Sequence, residues 1–169
     1  MAEKIINRVA NSKLISVDLQ DFYPDGKRIL FDIKEWLFEG IILKEKDFRI
    51  YIENHDWSQY QNSYVALTCS EDAIIPSWAY LLLTTRLSPF AKKIIIGDLA
   101  SLETSIFQDI INQLDITEYK DKPIIIKGCS DKPIPDSAYV LFIKKIQPTA
   151  KSILFGEACS TVPLYKKKK

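Results

Sequence analysis

From about residue 64 onward, short uninterrupted apolar runs alternate with segments of helical periodicity. The four runs are Val65–Leu67, Ile94–Ile96, Ile124–Ile126 and Ile153–Phe155. Apolar runs without polar alternation are typical of strands that are buried on both faces of a parallel sheet. The pattern therefore predicts an α/β fold, in which helices cross over between the strands of a three-layer, mainly parallel sheet.

Prolines mark the bounds of two of the predicted helices. Pro76 and Pro135 stand where a helix would begin, because the first helical turn tolerates a missing N–H and a fixed φ. Pro89 and Pro148 stand where the same helices would end. A middle helix is predicted from apolar residues at near-helical spacing, namely Leu102, Ile106, Ile110 and Leu114.

The first 63 residues form a less regular pattern. Alternation over Ile15–Leu19 predicts a strand, and the apolar positions of residues 29–37 predict a helix after a Pro-Asp-Gly turn signal. A second helix is predicted over Glu45–Asn54. Because no Gly/Ser-rich or Pro-rich linker follows, we expect one domain over residues 1–169, with residues 1–63 packed as an N-terminal α+β extension on a core of residues 64–165.

The core carries a diverged internal repeat. One copy runs from Cys69-Ser70 through Pro76 and Tyr80 to a strand that ends in Gly97-Asp98, and the other runs from Cys129-Ser130 through Pro135 and Tyr139 to Gly156-Glu157. A repeat of this kind sets the architecture, so it is considered before any local motif. The sequence predicts a duplicated strand–helix–strand unit, with Cys69 and Cys129 on one edge of the sheet.

All three cysteines of the chain follow predicted strands, and Cys159 comes shortly after the last one. Ligands of open α/β sheets bind beyond the carboxyl ends of the strands, and a following helix N-terminus favours a thiolate. Cys69, Cys129 and Cys159 are therefore predicted to hold a zinc ion or an iron–sulfur cluster. Asp98 or Glu157 would be the fourth ligand. The only histidine, His55, is a weaker candidate, because the helix and strand around it would leave it at the opposite edge.

Two other functions remain open. A thiol-dependent enzyme or sulfur carrier would use one cysteine of the same crevice, although a single distant histidine argues against a Cys-His pair. An interaction scaffold would use the cysteines only as packing residues, since free cysteine is among the most frequently buried side chains. The chain has five glycines and neither a G-x-G-x-x-G motif nor a P-loop, so no nucleotide is expected.

Charge and composition exclude some classes of partner and indicate the compartment in which we expect the protein. A formal net charge of +1 gives no reason to expect nucleic acid or an anionic membrane. No apolar run approaches the length of a membrane span, and the first residues lack the apolar stretch of a signal peptide. Three cysteines cannot all pair internally. We therefore expect a cytoplasmic protein with reduced thiols.

Several segments are similar to an uncharacterised bacterial family, domain of unknown function 2480. They are Glu45–Arg49, His55–Ser58, Ala73–Pro76 and Gly156–Tyr165, and the resemblance covers most of the chain. This resemblance identifies no catalytic residues in the chain. It implies a genomic setting near iron–sulfur cluster assembly genes, and hence iron–sulfur assembly proteins as partners and a metal- or sulfur-linked role.

Overall fold

The computed structural model describes residues 14–128, 130–157 and 160–168, and these form a mixed α/β structure. Within this part of the chain there are four α-helices and two sheets of mostly parallel strands. The helices are α1 Glu45–Asn54, α2 Ser77–Leu87, α3 Leu99–Gln113 and α4 Asp136–Ile146. The strands are β1 Ile15–Val17, β2 Arg28–Asp32, β3 Tyr64–Thr68, β4 Lys93–Ile96, β5 Pro123–Ile126, β6 Ser152–Glu157 and β7 Ser160–Lys166.

The chain divides into two compact units. The first unit, residues 24–106, contains a parallel sheet in the order β2-β3-β4, so β3 is central. Its register places Leu30 opposite Ala66, and Ala66 opposite Ile95. Apolar side chains of α1 and α2 pack with this sheet, and Phe48 and Leu83 are fully buried in that cluster. Burial of this apolar area is the main stabilising contribution within the unit.

The second unit combines the described residues up to Tyr23 with those from Phe107 onward. Its sheet has the order β1-β5-β6-β7, in which the first three strands are parallel and β7 is antiparallel to β6. Ile15 lies opposite Ile124, and Ile126 lies opposite Phe155. The buried cluster of this unit includes Phe107 from α3 and Phe142 from α4.

Most elements after residue 40 form where the sequence predicts them. The four apolar runs are β3, β4, β5 and β6, and α1 and α3 match their predicted segments. Pro76 and Pro135 are the N-cap residues of α2 and α4, with φ of −67° and −70°, which are the values that the proline ring imposes. Among the described residues, no helix combines the length and the apolar character needed to cross a membrane.

The helix predicted over residues 29–37 is wrong. Residues Arg28–Asp32 form β2, and Ile33–Trp36 form a 3-10 turn. The side chain of Asp32 accepts a hydrogen bond from the backbone N–H of Lys34 at 3.0 Å, which caps this turn. The apolar positions that mimic helical spacing therefore come from a short strand followed at once by a tight turn.

The arrangement of the sheets also differs from the prediction of a single sheet. β1 pairs with β5, and β2 pairs with β3, so both early strands belong to sheets instead of forming a separate extension. Cys69 follows β3, whereas β5 and β6, which precede the other two cysteines, belong to the other sheet. The expectation that Cys69 and Cys129 follow strands of one sheet is therefore wrong. Strand pairing between distant residues produces this difference, and local periodicity does not encode it.

Candidate functional site

Cys69 lies one residue beyond the carboxyl end of β3, the central strand of its sheet. Its thiol is free and half-buried, and it packs against the apolar cluster of residues 24–106. The Sγ atom donates a long hydrogen bond of 3.6 Å to the carbonyl oxygen of Glu71. Residues 70–76 separate Cys69 from α2, so the prediction that it directly precedes a helix is wrong. The chain instead positions the thiol through the sheet edge and the loop.

Asp32 ends the neighbouring strand β2, and its carboxylate connects that strand to the loop after β3. Its Oδ1 atom accepts hydrogen bonds from the backbone N–H groups of Lys34, at 3.0 Å, and Ser70, at 3.1 Å. Burial would raise the pKa of Asp32, but hydrogen bonds from the side chain and backbone of Ser70 and from Lys34 outweigh it and lower the pKa below the ordinary value. Asp32 therefore stays charged beside the cysteine.

Tyr80 brings a phenol close to the same edge from the first turns of α2. The sequence favours core packing for this residue, and the side chain is in fact half-buried. Burial raises the pKa of Tyr80, and the negative charges of Cys69 and Asp32 raise it further. Asp32 ends β2, Cys69 follows the adjacent strand β3, and Tyr80 lies in the first turn of the helix after β3, so the three groups belong to the same edge of this sheet. A phenol held neutral can donate a hydrogen bond to sulfur or to a bound group.

A corresponding arrangement occurs at the carboxyl edge of the other sheet. Asp18 follows β1, is buried, and accepts hydrogen bonds from the backbone N–H of Gln20 at 3.1 Å and from its side-chain amide at 2.9 Å. The Oε1 atom of Gln20 in turn accepts hydrogen bonds from the hydroxyl of Ser130 and the N–H of Asp131. Lys127 Nζ lies 3.8 Å from Oδ2 of Asp18. The hydroxyl oxygen of Ser130 also accepts a hydrogen bond from the backbone N–H of Lys132 at 3.1 Å, so Ser130 is a turn hydroxyl.

Cys129 and Cys159, the other two predicted thiol ligands, lie outside the described residues. Their described neighbours are closely constrained. A Cβ atom added to Gly128 would lie 2.7 Å from Cζ of the Phe155 ring, so a larger residue there would displace this ring. Gly156 has φ of +116°, and a Cβ there would lie 2.6 Å from the carbonyl oxygen of Ser160. Gly128 directly precedes Cys129, and Gly156 lies three residues before Cys159.

The two acidic candidates for a fourth ligand follow strands of different sheets. Asp98 comes after β4 and caps α3 by accepting a hydrogen bond from the N–H of Ser101 at 2.7 Å, and hydrogen bonding from Ser101 lowers its pKa. Glu157 is the last residue of β6, is exposed, and pairs with Ser160 of β7. In the ranges that the structure describes, no three His, Cys, Asp or Glu side chains are grouped for a metal ion.

His55 follows α1 as its C-cap residue and belongs to an aromatic cluster. Its Nε2 atom is 2.9 Å from the hydroxyl of Tyr60, and the Trp57 ring lies 4.7 Å away between centroids. Burial lowers the pKa of His55, and the nearby Asp56 opposes this only in part. These contacts agree with the predicted polar helix end packed on Trp57. Whether His55 lies away from every thiol stays a prediction.

One comparison assigns the chain to a family. The sequence model of a family described as Protein of unknown function (DUF2480) matches residues 3–167. The chain belongs to this family. No curated protein and no solved structure matches it. Membership in DUF2480 confirms the resemblance seen in the sequence, and it supplies no activity or residue role.

Sequence reasoning missed the two aspartates that organise the sheet edges. Asp18 and Asp32 each follow an apolar strand and begin a 3-10 turn, at Leu19–Phe22 and Ile33–Trp36. The signal is present in the sequence as Val-Asp-Leu-Gln and Phe-Asp-Ile-Lys. A search for repeats that included the first 63 residues would have found it.

Proposed function

We propose that the protein binds a zinc ion or an iron–sulfur cluster through its cysteines, as an accessory to iron–sulfur or sulfur metabolism. The main support is the pairing of β5 and β6, which places Ile126 opposite Phe155. The chain segments that contain Cys129 and Cys159 therefore leave neighbouring strands at the same edge of one sheet. Thiolates are the preferred ligands of both zinc and iron–sulfur clusters.

The flanking residues give further support. Gly128 approaches the Phe155 ring closely, which holds the residue before Cys129 against β6. Glu157 and Ser160 pair with each other on either side of the segment that contains Cys159. Glu157 could add a carboxylate ligand, and Asp98 and His55 stay alternatives for that role. The proposal requires a compartment that keeps thiols reduced, which favours the cytoplasm, and it fits iron–sulfur assembly proteins as partners.

The test is purification without oxygen, followed by measurement of iron, zinc and acid-labile sulfide and a visible absorption spectrum. We expect bound metal in the parent protein and its loss in Cys129→Ser and Cys159→Ser. Cys69→Ser is the internal comparison, because it tells whether the thiol at the other sheet edge is also a ligand. Parent protein without metal, even after reconstitution with zinc or with ferrous iron and sulfide, would contradict the proposal.

A second candidate function is a thiol-dependent enzyme or sulfur carrier that uses Cys69. The observation that favours it is the position of this free, half-buried thiol at the carboxyl end of β3, next to Ser70, whose backbone N–H binds the carboxylate of Asp32 at 3.1 Å. A half-exposed thiol is a candidate nucleophile, and the neutral phenol of Tyr80 is a hydrogen-bond donor on the helix that follows. Alkylation of the native protein by iodoacetamide, followed by mass spectrometry, would label Cys69 rapidly in this case. If Cys69 resists labelling until the protein unfolds, the cysteine serves only in packing, and an interaction scaffold is favoured over an enzyme.

We also infer that the fold arose by duplication. The first three strands of each sheet are parallel, and each sheet has an early strand, β1 or β2, that ends in a turn-capping aspartate. In both units a proline caps the helix after the central strand. The predicted repeat would then include the early strands as well as residues 69–98 and their counterpart. The three-layer arrangement and a single domain over residues 1–169 stay predictions.

A further inference from the structure

Three lysines stand side by side at the amino edge of the β5-β6-β7 sheet. The backbone N–H of Lys151 donates to the carbonyl oxygen of Lys122 at 3.0 Å, and the N–H of Lys167 donates to the carbonyl oxygen of Lys151 at 2.9 Å. Neighbouring strands lie about 4.8 Å apart, so the three side chains start from closely spaced positions. Like charges at this spacing repel one another unless an anionic group lies among them.

The row belongs to a larger basic surface. Lys122 and Lys151 precede the buried residues Ile124 and Ile153 by two positions, which places them on the same face by strand alternation. Exposed lysines surround this edge, namely Lys120, Lys144, Lys166 and Lys168. Asp121 is the carboxylate paired with this row, and its Oδ1 atom is 3.2 Å from Nζ of Lys167. Positive charge therefore exceeds negative charge at this edge, although the net charge of the chain is only +1.

An apolar groove adjoins the lysines. It has a volume of about 520 Å³ and lies between the end of α4 and β7, where Val140, Ile143, Pro148 and Tyr165 line it together with Lys144. Val140 is 66% exposed on the face of α4 opposite the buried Phe142 and Ile146, so its apolar side chain is available to a ligand in the groove. Tyr165 pairs with Ile153, and Lys167, two residues later, pairs with Lys151, so strand alternation places Tyr165 on the same face as the row of lysines.

We propose that this groove and its lysines bind an acidic segment of a partner protein that carries apolar side chains. The apolar side chains would fill the groove beside Val140, and the carboxylates would face Lys144, Lys151 and Lys167. A nucleic acid fits less well, because the described residues of this unit contain no arginine, the side chain suited to bidentate phosphate contacts. The groove also presents only one aromatic ring, Tyr165, for base stacking.

The test uses a fluorescent peptide of about 16 residues, roughly four helical turns, with glutamates on one face and leucines on the other. A peptide with serines in place of the leucines keeps the charge and serves as the ligand control. Lys151→Glu should weaken binding of the first peptide about fivefold, because it replaces attraction by repulsion at an exposed site. Val140→Asp should weaken it as well. The control variant is Lys46→Glu, which makes the same charge change at an exposed position of α1 and should leave the affinity for the peptide unchanged.

Each alternative result overturns the proposal. Binding of both peptides with equal affinity would show a general polyanion surface. Tighter binding of oligothymidine or of phosphatidylserine vesicles, lost in Lys151→Glu, would assign the surface to nucleic acid or membrane. No saturable binding of the first peptide, or binding that Lys151→Glu and Val140→Asp leave unchanged while circular dichroism shows them folded, would show that this surface is not a docking site. The metal content of the parent protein is independent of all these outcomes.

Discussion

The backbone N–H of Ser70 donates a hydrogen bond of 3.1 Å to Oδ1 of Asp32, and this contact joins the loop after β3 to the end of β2. The two residues are far apart in sequence, so the bond forms only when the strands pair. The same oxygen caps the turn that begins at Ile33. One carboxylate thus fixes both the turn and the loop next to Cys69.

Asp32→Asn should destabilise the protein by about 1–2 kcal/mol, because it weakens a cap and a charged hydrogen bond at once. The free energy of unfolding in urea measures this. The pKa of Asp32 is lower in the folded state, so its contribution is present at neutral pH and is lost as the pH falls through the folded-state pKa. The difference between parent and variant should therefore shrink in acid. Asp72→Asn, the same change on an exposed loop, should have little effect.

His55 should give a separate pH dependence. Burial lowers its pKa below the ordinary value of 6.5, so the unfolded chain binds the proton more readily. Stability is then greatest above the unfolded-state pKa and decreases as the pH falls from about 6.5 through the folded-state value. His55 is the only histidine, so its NMR titration is unambiguous. A measured pKa above 6.5, or the same slope of stability between pH 7 and about 5.5 in His55→Asn, would contradict this expectation.

The sequence predicts the strands and helices whose signal is local. The run Ile124–Ile126 is apolar at every position because side chains on both faces of β5 are buried. Pro76 marks the start of α2 because proline fits a helix start. Residues 29–37 are different. A strand of five residues followed by a turn puts Ile29, Ile33 and Leu37 at helical spacing, and only pairing with β3 decides between the two structures.

The candidate site is predicted only in part, because it depends on which strands are neighbours. The sequence correctly indicates that Cys69 follows a strand, at the carboxyl edge of its sheet. It does not indicate that β2 is the adjacent strand, and Asp32 therefore escapes notice. The same holds for the ion pair of Asp18 with Lys127, which forms only because β1 pairs with β5. Pairing between distant segments is a property of the folded chain.

Breaking the ion pair between Arg28 and Glu103 should cost more than breaking an exposed one. Arg28 Nε lies 2.6 Å from Oε1 of Glu103, and both side chains are almost buried. Glu103→Ala would leave the charged guanidinium of Arg28 nearly buried without this carboxylate. We therefore expect the free energy of unfolding in urea to fall by about 3 kcal/mol. The matched control is Glu45→Ala, which removes an exposed pair with Arg49 on α1 and should cost about 0.5 kcal/mol. Equal losses would show that the Arg28–Glu103 pair gains nothing from burial.

The electrostatic link between Cys69 and Tyr80 can be measured directly. The thiolate of Cys69 and the carboxylate of Asp32 both raise the pKa of Tyr80 above its ordinary value of 10.0, after the larger effect of burial. Cys69→Ala removes one negative charge and should lower that pKa, and Asp32→Asn should lower it as well. NMR titration of the tyrosine ring carbons measures the pKa of Tyr80, and Tyr80→Phe assigns its signal. Asp72→Asn, which removes a charge from the exposed part of the same loop, should change the pKa of Tyr80 less. If Cys69→Ala leaves the pKa of Tyr80 unchanged, the thiol and the phenol do not interact, and the thiol-chemistry proposal loses its support.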